Sequence, residues 1–209
     1  MQIESTGRRD IVTVKVGASS FLAITCSVVS VLLVAGCSGQ EGGAADSQGA
    51  PNSGSVDQVE VKSPKDAGAV DPCSLLPAPG AESLGMDPQG QKGSGSFGDD
   101  QQNSCDWDTS DGSINTSLSV FSDRTLKDYD RPEAYVDFEK TIISGHPAVR
   151  ANQGDPKVDG TCVIFLASNP GQVVQATGQV PSTKRGEADP CDLAKKTLES
   201  AVPSWPAAK

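Results

Sequence analysis

The chain has 209 residues, with 17 Lys and Arg against 27 Asp and Glu, a formal net charge of -10. An acidic chain without a basic cluster excludes nucleic acid, and excludes anionic head groups held by charge. Aromatic residues make up only 4% of it, so any core has to come mainly from Val, Leu, Ile and Ala.

Arg8, Arg9 and Lys15 form a positive flank, an apolar run extends from Ala18 to Val34, and the small pair Ala35-Gly36 stands directly before Cys37. Positive flank, apolar middle and small residues at the cut are the parts of a secretory signal. The order Leu33-Val34-Ala35-Gly36-Cys37 is that of a lipobox, in which the peptidase needs small side chains and the Cys37 thiol carries the diacylglycerol. One acyl chain binds membranes marginally, at about 0.8 kcal/mol per buried CH2, so stable anchoring takes two or more. Lipoprotein modification supplies them, palmitate being a usual chain. Residues 1–36 are therefore expected to be a lipoprotein signal peptide, and Cys37 the lipidation site on the extracytoplasmic face of the cell membrane. The rival is an uncleaved transmembrane helix, but the run is close to the lower spanning limit of about 17 residues. Arg8-Arg9 also resembles a twin-arginine signal, without a clear motif around it.

Residues 37–69 are rich in Gly, Ala, Ser, Gln and Asp. Such a segment buries too little apolar surface to offset its ordering entropy and is expected to be a disordered tether. As a Gly/Ser-like coil it would span about 30 Å.

Residues 70–209 are of ordinary single-domain size. Asp71-Pro72-Cys73 is a helix start, with a carboxylate for the free N–H groups and Pro where no N–H is needed; Pro77 and Pro79 should stop that helix early. Gly85 to Gln102 reads as a long loop. Ile114, Thr116, Leu118 and Val120 alternate with polar residues, the period of a strand with one buried face, and Asp111-Gly112 marks the hairpin turn before it. Asp123 to Lys140 is expected to be partly helical despite Pro132, and Ile142-Ile143 to begin another strand. The apolar run Cys162 to Ala167 predicts a central strand, paired through a turn at Ser168-Asn169-Pro170-Gly171 with Gln172 to Thr177. A last helix opens at Asp189-Pro190-Cys191 and places Cys191, Ala194, Leu198, Ala201 and Val202 on one face. The class expected is α+β, an antiparallel sheet of hairpins with N- and C-terminal helices packed on one side.

Cys26 leaves with the signal and Cys37 is acylated, so four cysteines remain: Cys73, Cys105, Cys162 and Cys191. An even number in an exported domain reads as two disulfides, with three possible connectivities. Each Asp-Pro-Cys helix start has one strand cysteine within reach, which favours Cys73–Cys105 and Cys162–Cys191. A metal or redox site is disfavoured: there is no Cys-x-x-Cys and only one histidine. No metal and no cofactor are expected.

His146 lacks an evident nucleophile and is expected to be a turn or surface residue. Asp106-Trp107-Asp108-Thr109-Ser110-Asp111-Gly112 resembles a calcium loop, but its Gly comes one position late and no Glu closes it. Asp99-Asp100 reads as part of a solvated loop, and Trp107 is expected to pack on the neighbouring disulfide. No catalytic residue is assigned.

Taken in order, the lipobox and tether, Asp71-Pro72-Cys73, Cys105-Asp106-Trp107, Gly145-His146-Pro147-Ala148-Val149, Gly160-Thr161-Cys162-Val163 and Asp189-Pro190-Cys191 resemble an actinobacterial lipoprotein family, domain-of-unknown-function family 3558. The resemblance covers the mature domain. It implies an exported, lipid-anchored protein and carries no activity with it. The expectation is a non-enzymatic binding or interaction module of the cell envelope, for an envelope protein or a small molecule. The alternative is an envelope hydrolase using Asp99, Asp100, Asp106 and Asp108, and a purely structural role is a third reading.

Overall fold

The computed structural model describes residues 60–93 and 103–209. Cys37, the signal peptide, most of the tether, and Asp99 and Asp100 lie outside the described residues. Seven strands form one antiparallel sheet: β1 (Gln91–Lys92), β2 (Ser104–Asp108), β3 (Asn115–Phe121), β4 (Asp137–Ile143), β5 (His146–Asn152), β6 (Thr161–Asn169) and β7 (Gln172–Gln179), in the order β1-β2-β3-β7-β6-β5-β4. The α+β class is observed, with helices α1 (Ala78–Ser83), α2 (Pro156–Asp159) and α3 (Pro190–Ala201).

Local chemistry accounts for most of these elements. In β3, Thr116, Leu118 and Val120 are buried on one face, as period two requires. The turn before it is held by Asp111, which accepts from Thr109 Oγ1 at 2.6 Å and Ser113 Oγ at 2.7 Å, while Gly112 takes φ 66°. Those bonds, the Thr109 hydroxyl first, hold the Asp111 carboxyl far below its ordinary range. Asp189 caps α3, accepting from Cys191 N at 2.8 Å, and Pro190 occupies a first-turn position that needs no donor.

α3 packs along β6 and β7. It lays Ala194, Leu198 and Ala201 onto Leu118, Ile164, Leu166, Val174 and Ala176, with Trp107 and Trp205 completing this main core. Thr197, on the same face, is also buried; its hydroxyl lies 2.8 Å from Thr116 Oγ1. The disulfides are Cys73–Cys105 and Cys162–Cys191. Trp107 is buried beside the first of them: a side-chain carbon at Gly90 would meet both Cys105 Sγ at 2.5 Å and the Trp107 indole at 2.6 Å. The indole Nε1 has no hydrogen-bond partner among the described residues.

Several expectations are corrected, among them Gly85 to Gln102, read as a loop, which contains β1. The first helix is a single 3-10 turn at Pro72–Ser74, and Pro79 helps to start α1 rather than stopping a helix. Residues 123–140 hold no α-helix; 3-10 turns at Leu126–Asp128 and Pro132–Ala134 lead into β4, because Pro132 cannot continue an i to i-4 ladder. Ile142-Ile143 end a strand instead of beginning one, and Ser144 and Gly145, at φ 50° and 83°, turn the chain into β5. Finally, Lys65–Ala69, read as tether, belong to the fold. Lys65 bridges Ala207, Asp66 N donates to Pro206 O at 2.9 Å, and Ala67 is fully buried, its N–H bonded to Gln172 Oε1 at 2.8 Å.

Candidate functional site

The face of the sheet turned away from α3 has two halves. Register sets their boundary. Ser104 pairs with Ser119, Ser119 with Gln175, Gln175 with Phe165 and Phe165 with Val149. One row of side chains thus runs from polar to apolar across five strands, about 4.8 Å per step, and changes character at Gln175. The neighbouring row repeats the change, from Asp106 and Ser117 through Thr177 to Val163.

On the apolar side a second hydrophobic cluster joins Val149, Ala151, Phe165, Ala167 and Val173 of the sheet to Leu126 and Tyr129 of the segment that crosses it. Tyr129 stacks on Phe165 with centroids 3.6 Å apart and planes at 14°. Burial pushes the Tyr129 phenol above its ordinary value, against the pull of Arg124. Next to this stack lies a cavity of about 500 Å3, walled by Phe121, Tyr129, Tyr135, Val163 and Phe165, with Arg124, Asn152 and Gln175 among its polar edges. Arg124 stands 5.9 Å over the Phe121 ring.

The cavity exists because β5 and β6 separate. They pair only from Ala148 to Arg150. Beyond that point Asn152 replaces the ladder: its Oδ1 accepts from Val163 N at 2.8 Å and its Nδ2 donates to Asp137 Oδ2 at 2.8 Å. Asp137 in turn grips Arg150, with Nε–Oδ2 at 2.9 Å and Nη2–Oδ1 at 2.8 Å. Burial alone would lower the Arg150 guanidinium, but Asp137 and Glu139 hold it above its ordinary value.

On the polar side β2, β3 and β7 floor a smaller depression of about 370 Å3 that includes Asp106, Asp108, Asn115, Ser117 and Ser119. Gln175 lines both spaces. It is 5% exposed, and its Nε2 donates to Thr177 Oγ1 at 3.0 Å. Its Oε1 is not among the sealed-off unpartnered atoms of the described residues, so with no donor among them bonded to it, that end of the amide is open to solvent.

Of the residues singled out from the sequence, Asp106 and Asp108 share this floor, and Asp108 accepts from Asn115 Nδ2 at 3.0 Å. His146 is neither in a turn nor on the surface. It is 2% exposed at the start of β5, and its Nδ1 lies 2.9 Å from the carbonyl of Ala167, which accepts the proton. That bond makes it a structural pin. Asp137, Cys162 and Cys191 bring three would-be metal ligands within 4.8 Å, but both sulfurs are spent in the disulfide.

The residues of the cavity, Tyr129, Tyr135, Phe165 and Gln175, carry no motif. One signal was available: the unbroken run Cys162 to Ala167 is apolar on both sides of its strand, which requires a covering layer on each face. No helix of the described residues is long and apolar enough to cross a membrane.

Residues 32–204 match the family model described as "Protein of unknown function (DUF3558)". The chain belongs to this family. No curated protein matches it. The family brings no reaction, so the face just described has to be read from its own chemistry.

Proposed function

We propose that this protein is a lipid-anchored component of the cell envelope, held through Cys37 on the extracytoplasmic face, whose domain is a non-enzymatic module that binds a small ligand. The observation that carries the binding reading is the cavity of about 500 Å3 beside Tyr129 and Phe165, within the roughly 300–1,000 Å3 typical of ligand pockets and, like them, mainly apolar with a few polar groups. Two disulfides agree with life outside the cytoplasm, and the lipobox order supports the anchor.

Acid catalysis by Asp106 and Asp108 is the weaker reading. A hydrolytic pair needs one carboxyl kept protonated by burial or by an unshielded neighbour, whereas Asp108 is half-buried and already accepts from Asn115.

The test is native mass spectrometry of the full-length protein extracted from its own membranes. A non-covalent mass that survives gentle ionisation and leaves on denaturation is expected, and Val163→Trp, which projects a ring into the cavity, should abolish it. A mass accounted for by the chain and its acyl groups alone, unchanged after incubation with extracted envelope lipids and metabolites, would exclude a small ligand and leave a protein partner.

A further inference from the structure

Resting on that binding reading, we propose that the ligand is an amphiphile with an uncharged, polyhydroxylated, sugar-like head. The head lies on the floor of β2, β3 and β7, the apolar part enters the cavity beside Phe165, and Gln175 hydrogen-bonds to the ligand where the two meet.

The apolar cavity and the polar depression adjoin, because one side chain lines both. Gln175 pairs with Ser119 on its polar flank and Phe165 on its apolar flank. A molecule filling both spaces must change from apolar to polar at that residue. The Oε1 end of this amide meets solvent there and can accept from a ligand hydroxyl in its place.

The chemistry of the floor points to the same head. Hydroxyls of Ser117 and Ser119, the Asn115 amide and the carboxylate of Asp108 offer both donors and acceptors. Their spacing follows the sheet, roughly 4.8 Å between strands and roughly 7 Å along them, a grid for a ligand with several hydroxyls on rings. Charge decides against the other heads. A phosphate or sulfate would meet the Asp108 carboxylate, while Arg124 borders the apolar end over Phe121 and Lys184 is already paired with Asp111. A quaternary ammonium group would want an aromatic cage, and the described residues of the floor supply none: the aromatic rings wall the other space. Asp108 is held by Asn115, and Asp111 beside the floor by Lys184 at 3.2 Å. Hydroxyl groups, which both give and accept, suit carboxylates already engaged in this way.

The experiment is isothermal titration of the full-length protein in phosphatidylcholine nanodiscs, with empty nanodiscs as blank. The probes are dodecyl maltoside, dodecyl phosphate, dodecyltrimethylammonium, dodecanol and maltose, each below its micelle concentration. Dodecyl maltoside is expected to bind at least about tenfold more tightly than the two charged probes and than maltose. Gln175→Leu should weaken dodecyl maltoside about tenfold and leave dodecanol unchanged. Because Gln175 lies on an inner strand, Ser117→Ala with Ser119→Ala serves as a second variant, expected to weaken the maltoside severalfold without shifting the thermal midpoint. Equal or tighter binding of the phosphate or ammonium probe, or indifference of the maltoside to both variants, overturns the sugar-like head and leaves the binding reading standing. Maltose binding as tightly as its dodecyl conjugate overturns the amphiphile. If no dodecyl probe binds, the binding reading falls as well.

Discussion

Gly178 sits on β7 under the first turn of α3, and a side-chain carbon there would lie 2.2 Å from Pro190 O and 3.0 Å from Ala194 N. Both are backbone atoms that cannot rotate aside. Gly178→Ala should therefore push α3 off the sheet at a cost of about 1–3 kcal/mol, the usual range for overpacking, read as a lower urea midpoint at unchanged slope. Tyr129 makes a prediction of opposite kind. Burial raises its phenol above 10.0, so the folded state favours the neutral form. That contribution is complete below the unfolded value near 10 and is lost as pH rises through the raised folded value. Unfolding followed from pH 8 to pH 11 should show stability falling on the alkaline limb, and Tyr129→Phe should flatten that limb; an unchanged limb would assign the loss to other groups.

Among the elements, α3 is tied to β6 by Cys162–Cys191, which closes a loop of sequence separation 29. In the chain-entropy picture such a loop is worth about 3–4 kcal/mol. The double variant Cys162→Ser, Cys191→Ser should melt correspondingly lower, yet keep α3, whose cap comes from Asp189 and not from the sulfurs; circular dichroism through the melt separates the two effects. This helix, both disulfides and the hairpins around Asp111-Gly112 and Pro170-Gly171 could be read along the chain, because each depends on residues close in sequence or on a short list of cysteine partners. β4 could not. It is an edge strand whose Ile142 is 60% exposed while its Asp137 is partly buried, so its apolar period was inverted at one end and blurred at the other. Pro132 and the Tyr-rich approach disguised it further as an interrupted helix. His146 misled for a related reason: its neighbours Gly145 and Pro147 signal a turn, and only the Ala167 carbonyl across the sheet explains its burial.

For the whole molecule, the proposed attachment and placement rest on Cys37. Cys37→Ser is expected to move the protein from the membrane fraction to the medium or wash, and to abolish incorporation of an alkyne-palmitate label, with the folded domain unchanged. Retention in the membrane without label would instead indicate an uncleaved apolar anchor.

Cysteine number, the Asp-Pro caps and the period of β3 were enough to predict class and bonding, since these follow from local stereochemistry and from the chemistry of single side chains. Tertiary structure alone decided that β7 lies between β3 and β6, and with it that Gln175 stands between Ser119 and Phe165. That juxtaposition joins residues from three strands, two of them more than forty positions apart in sequence. Non-local register of this sort is settled by packing against α3 and by the separation of β5 from β6, and no short-range pattern encodes it.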